Sequence, residues 1–202
     1  MFHEIGHSIF GWLFGYINLP SITTIFNHDK HAGLTFTFGH SLIIQIFALF
    51  ALFYGCFFIY QNRREYFYPA LFVAIAIAAI SFTKYHNILT DYMGHGTAML
   101  MGGFFLFRSL VYLDARNGFE LWLNGFFGFF FILKNIHFSY LLIYDPLEKM
   151  RYVNAVAVTH DFVQLTRLIN SWTIDGIAMT TIALGIIIII SSFSLAGRYG
   201  RS

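Results

Sequence analysis

Runs of about 18 or more mostly apolar residues recur six times along the chain, at roughly 5–22, 41–60, 67–83, 95–113, 121–144 and 174–197. Each is long enough to cross the hydrocarbon of a bilayer as a helix. The second (SLIIQIFALFALFYGCFFIY), the third (around ALFVAIAIAAI) and the sixth (IALGIIIIISSF) carry almost no polar residue. The first is short and ends at Pro20, and the fifth contains Lys134, Asn135 and His137, so these two are expected to be tilted, partly buried or broken. Backbone polar groups in lipid must be satisfied within the segment, and the strand-like alternation of an outer-membrane barrel is absent. The pattern therefore predicts an all-α fold, a polytopic membrane helix bundle with about six transmembrane helices. Two connections are long, at about 23–40 and 145–173. In the second, Val158, Phe162, Leu165 and Ile169 fall at helical spacing, which predicts an amphipathic or re-entrant helix over about 153–170. Neither connection has the composition of a linker, and no internal repeat is visible, so residues 1–202 are expected to form a single integral-membrane domain.

Composition agrees with this. The chain is 57% hydrophobic and 11% charged, against roughly 25% charged in soluble domains, so a water-soluble globule of this size would be unable to cover its surface. The net charge of +2 is diffuse and no basic cluster is interleaved with aromatic residues, which argues against a nucleic-acid partner. Cys56 is the single cysteine, so any metal must be held by histidine and carboxylate. The N-terminus lacks the basic residues and cleavage site of a signal peptide and reads as mature structure. With six spans both ends share a side. That side would hold Arg63, Arg64, Arg116, Arg198 and Arg201, concentrated in short loops and the tail, which favours cytoplasmic ends in a bacterial inner membrane.

The first apolar run opens with the sequence HEIGH. His3, Glu4 and His7 form HExxH, and on a helix the i,i+4 spacing places both imidazoles on one face, where they can grip one zinc ion. Glu4, rotated beside them, is then placed as the general base for a water whose pKa the metal lowers. Three ionisable side chains at membrane depth are costly enough to imply function. His3, His7, Gly11 and Gly15 also fall on one slowly drifting i,i+4 stripe, and Gly11-x-x-x-Gly15 is a close-packing pattern of membrane helices, so the metal face is expected to look inward.

HEIGHSIFGWLFG resembles the HExxH-bearing first helix of the site-2-protease family and its shorter bacterial relatives, which are intramembrane zinc metallopeptidases. The resemblance covers about fifteen residues and implies hydrolysis of a peptide bond in or near the membrane, with a membrane-protein or peptide substrate and the lipid bilayer as surroundings. It implies a carboxylate third ligand as well. The family takes one from an Asn-Pro…Asp-Gly motif, which Asn170…Asp175-Gly176 matches apart from the proline. Some short relatives show a His-Asp-aromatic motif late in the chain, similar to His160-Asp161-Phe162. No PDZ-like insertion is present. A catalytic helix that begins at residue 3 has almost no turn before its first ligand, so the chain is expected to extend upstream or to be a degraded family member.

A catalytic zinc needs a third protein ligand beside an open position. His160 and Asp161 pair as ligand and supporting group on the predicted amphipathic helix and are the first choice. His95, which shares a helix face with Asp91, and Asp175, at the start of the sixth span, are the alternatives. His28 and His31 read as solvated loop residues, and His40, His86 and His137 as single histidines near span ends. Three other functions compete: a His-box di-iron membrane oxygenase or desaturase, a zinc lipid amidase, and a non-enzymatic transporter or membrane scaffold. Only HEIGH and HDKH have ligand spacing, Glu4 has no special duty at a di-iron site, and no inverted repeat supports a transporter.

Overall fold

In the computed structural model of the chain, residues 2–24, 31–113, 117–154 and 160–199 are described. The apolar run that opens the chain forms helix α1, Phe2–Leu13, and then stops. Gly15 adopts φ +86°, the left-handed conformation that ends a helix at little cost only for glycine. The chain continues as strand β1, Tyr16–Thr24, which pairs antiparallel with β2, His31–His40. The expected first span at 5–22 is thus half helix and half strand, and the expected all-α class gives way to a mainly helical chain with one β-hairpin. Two physical signals lie in the sequence. Thr35-Phe36-Thr37-Phe38 alternates with the period of a strand, and Pro20, which lacks an N–H, is tolerated because both strands of a two-stranded sheet are edges.

The other described elements are helices α2 (Leu42–Asn62), α3 (Phe67–Ser81), α4 (Tyr85–Val111), α5 (Gly118–Tyr144), α6 (Pro146–Val153), α7 (Asp161–Leu168) and α8 (Ile174–Tyr199). Among the described residues, four helical segments are long and apolar enough to cross a membrane: Leu42–Asn62, Arg64–Ser81, Gly118–Tyr144 and Ile174–Tyr199. They correspond to the expected spans at 41–60, 67–83, 121–144 and 174–197. On α2, Ile43, Phe47, Phe50 and Phe58 are all exposed, as on a helix whose apolar surface faces a non-aqueous medium. The expected span at 95–113 falls on α4, which begins ten residues earlier, ends at Val111 and carries His86, Asp91, His95 and Arg108. Within the range 153–170, where an amphipathic helix was expected, α7 covers Asp161–Leu168, and a separate short helix, α6, ends where that range begins. Asp145 caps α6 by accepting hydrogen bonds from the backbone N–H groups of Leu147 and Glu148, and Pro146 occupies its first turn. Phe162 and Leu165 are the buried residues of α7, while Val158 lies outside the described residues.

Two compact units divide the chain, one comprising essentially His3–Thr90 and the other Asp91–Ser202. In the N-terminal unit the hairpin has two unlike faces. Ile17, Leu19, Phe36 and Phe38, paired across the strands, are exposed. On the opposite face Asn18 is buried and Thr35 half-buried, both against α1. Gln45 ties α2 to the end of α3, donating to the Ser81 carbonyl and hydroxyl. In the C-terminal unit α4, α5 and α8 approach through glycine. A Cβ on Gly128 would lie 2.7 Å from the Leu106 backbone nitrogen, and one on Gly185 would lie 2.8 Å from Ile136. Small residues let membrane helices pack at this distance.

A candidate metal centre on helix α1

Helix α1 puts His3, Glu4 and His7 within one turn of each other. Glu4 and His7 are buried, each 8% exposed, and His3 is half-buried. The Nε2 atoms of His3 and His7 lie 3.2 Å apart. Two nitrogens about 2.05 Å from a tetrahedral zinc are separated by about 3.3 Å, so the two rings already have the spacing of ligands to one ion. The protonation pattern suits this as well. Nδ1 of His7 is 2.8 Å from the Thr90 carbonyl oxygen, which can only accept, so Nδ1 carries the proton and Nε2 presents a lone pair. Such a hydrogen bond is the usual way a metal-ligating imidazole is oriented.

The carboxylate of Glu4 is held by the hairpin. Its Oε2 accepts a hydrogen bond from the Thr35 hydroxyl at 2.7 Å, and its Oε1 lies 4.0 Å from His3 Nε2. The buried acid therefore has one oxygen engaged by β2 and the other beside the imidazole pair. Asn18 of β1 donates from its Nδ2 to the His7 carbonyl oxygen at 3.1 Å. That contact explains Gly11, because a Cβ there would lie 1.9 Å from the same Nδ2. The expected helix-packing stripe is corrected accordingly: Gly11 makes room for a strand residue, and Gly15 lies beyond the helix and turns the chain into the hairpin. Asn18, Thr35 and Thr90 were not singled out from sequence. The Thr-Phe alternation around Thr35 is the signal that would have found the hairpin, whereas nothing local marks Thr90.

Other histidines of this unit have structural partners. His86 bonds the Tyr16 hydroxyl at 2.9 Å, and His40 lies 3.2 Å from the Gln45 side-chain oxygen. Both sit at element ends, as expected of single histidines there. His28 lies outside the described residues, and His31 is described only as the first residue of β2.

The C-terminal unit gathers a second polar cluster. His95, buried in the middle of α4, has Nδ1 2.7 Å from the side-chain oxygen of Asn135 on α5. Its Nε2 lies 3.7 Å from the Asp161 carboxylate at the start of α7. Phe138 stacks on the His95 ring at 5.4 Å, and Phe162 packs against it at 4.8 Å. Asp161, of the first-choice pair, and His95, one of the alternatives, are thus neighbours. His160 stacks on Tyr152 at 4.2 Å. Burial, then the Asp161 charge, pushes the Tyr152 phenol well above its ordinary range, so it remains neutral and accepts from the Phe162 N–H. Asp175 forms an ion pair with Lys149 at 2.6 Å.

No protein-family model matches the chain, and no curated protein or solved structure is significantly similar to it.

Proposed function

We propose that the chain is an intramembrane zinc metallopeptidase, with Glu4 as general base and His3 and His7 as two zinc ligands. One observation carries the reading: the two Nε2 atoms stand 3.2 Å apart, with the His7 tautomer fixed by Thr90 and a buried carboxylate alongside. Zinc, when bound, polarises a substrate carbonyl and lowers the pKa of a water molecule towards about 7. Thr35 holds Oε2 and keeps the Glu4 carboxylate from rotating away, so Oε1 would take a proton from such a water as its oxygen added to the substrate carbonyl carbon. Glu4 would return that proton to the amide nitrogen as the C–N bond broke.

For the third ligand the proposal takes the His160–Asp161 pair, with Asp161 foremost. Its carboxylate has a histidine at 3.7 Å that is itself oriented by Asn135, the pattern of a supported ligand. Asp175 is engaged by Lys149, and His95 serves better as support than as ligand. The same reading puts the protein in a bacterial inner membrane; with the first expected span replaced by α1 and a hairpin, Arg63 and Arg64 no longer share a side with the N-terminus, and the charge bias no longer argues for cytoplasmic ends. A chain with four described helices apolar enough to cross a membrane suits a substrate that is a membrane protein or a membrane-bound peptide.

The test is metal analysis combined with a cleavage assay. The purified protein should hold about one zinc per chain, and Glu4→Gln should keep the metal while cleavage of a membrane-peptide substrate falls by about 10²–10⁴. Undiminished cleavage by Glu4→Gln with zinc retained would sink the mechanism. Two irons per chain would favour an oxygenase in its place.

A further inference from the structure

The C-terminal unit exposes a cation where lipid would be the surroundings. Helix α5 is 27 residues long, about 40 Å, and a hydrocarbon core of about 30 Å centred on it would begin about 5 Å inside each end. Lys134 stands ten residues before the last residue of the helix, Tyr144, so its Cα would then lie about 10 Å inside the hydrocarbon. Side chains on a helix lean toward its N-terminus, which here points away from the nearer surface. Lys134 is exposed and has neither an ion pair nor a hydrogen bond among the described residues. His137, one turn on, is exposed as well.

Both residues line one end of an open groove of about 890 Å³ between α4 and α5, whose remaining wall includes Tyr112, Trp122, Phe126 and Phe130. An isolated ammonium at this depth is costly, and such residues are regularly paired. A lipid phosphate would then stand more than about 10 Å from that Cα, on the side from which the side chain leans away. A second copy of the chain is no better suited. Helices α2 and α3 contain no acid, the acids of α5 and α8 are in their first turns, where Glu120 pairs with Arg108 and Asp175 with Lys149, and Asp91, in the second turn of α4, is already engaged.

We propose that this groove docks a transmembrane helix of another protein that carries an aspartate or glutamate near its midpoint, the carboxylate meeting Lys134 and His137 and the apolar residues of the helix lying along the aromatic wall. The assignment is independent of the zinc reading. It depends on charge complementarity within an apolar groove.

The experiment uses the full chain in phosphatidylcholine vesicles. Energy transfer is measured from labelled protein to a synthetic leucine-rich transmembrane peptide of about 23 residues with one central glutamate, or with glutamine in its place. The glutamate peptide should associate about tenfold more tightly, within the range of polar contacts between membrane helices. Lys134→Leu should erase that preference and Lys134→Arg should keep it, which separates loss of charge from misfolding. Equal binding of the two peptides, or a preference that survives Lys134→Leu, overturns the proposal. So does the finding that Lys134→Leu instead abolishes retention of phosphatidylglycerol from mixed vesicles, which would make the groove a lipid site.

Discussion

Around His7 the polar partners come mostly from one stretch of chain. His3 and Glu4 are its neighbours on α1, and Asn18 and Thr35 come from the hairpin that follows directly. Around His95, on α4, they come from two other helices, with Asn135 forty residues away on α5 and Asp161 on α7. The first arrangement is built by local folding: a glycine turns the chain back and lays one polar strand face on the motif. The second exists only once long helices have packed through their glycines. A site made the first way presents donors whose geometry is set by one helix turn. A site made the second way depends on helix packing, and so is more easily loosened.

The largest expected effect attacks the local arrangement directly. His7→Ala removes one imidazole and the ring that Thr90 orients, and zinc content should fall from about one per chain to background. Retention of stoichiometric zinc in this variant would mean that the metal, if bound, sits elsewhere. The next effect tests the dispersed cluster. Asn135→Leu removes the group that orients His95 and, through it, Asp161. Zinc affinity should fall by about 10–100-fold, as for other supporting groups of metal ligands, while the helical circular-dichroism spectrum is kept. Unchanged affinity would reduce the His95–Asn135–Asp161 cluster to a packing feature.

Legibility from sequence follows the same division. The four long apolar helices were readable because lipid imposes length and composition on them, and HEIGH was readable because its geometry is that of a single helix turn. The hairpin was missed because the apolar run before it reads smoothly through Leu13 into Ile17 and Leu19. There the exposed strand face is as hydrophobic as a membrane helix, and only Gly15 and the Thr35–Phe38 alternation mark the change. Hydropathy measures how apolar a stretch is, and an exposed apolar strand and an exposed apolar helix give nearly the same signal. His95 and Asp161 were both candidates, but their proximity depends on how α4, α5 and α7 pack, and no local pattern encodes that. Thr90 and Asn135 act through one hydrogen bond each, and a lone threonine or asparagine in a helix carries no signature of its partner.

The smallest effects come from two glycines that set the two arrangements against each other. At Gly128 an added methyl would meet the Leu106 backbone at 2.7–2.9 Å, and backbone can yield only if α4 and α5 move apart. At Gly11 the obstacle is the Asn18 side chain, which can rotate, but only by giving up its bond to the His7 carbonyl and its buried place beneath β1. Overpacking of this kind costs about 1–3 kcal/mol. Gly128→Ala should therefore lower the thermal midpoint in detergent by several degrees and shift zinc affinity only through the dispersed cluster. Gly11→Ala should lower the midpoint less, since a side chain yields more cheaply than backbone, yet weaken zinc more, because the strand that braces α1 is displaced. If Gly11→Ala kept full zinc affinity, the hairpin would be a cover over the motif and not part of what shapes it, and the local arrangement would reduce to the helix turn alone.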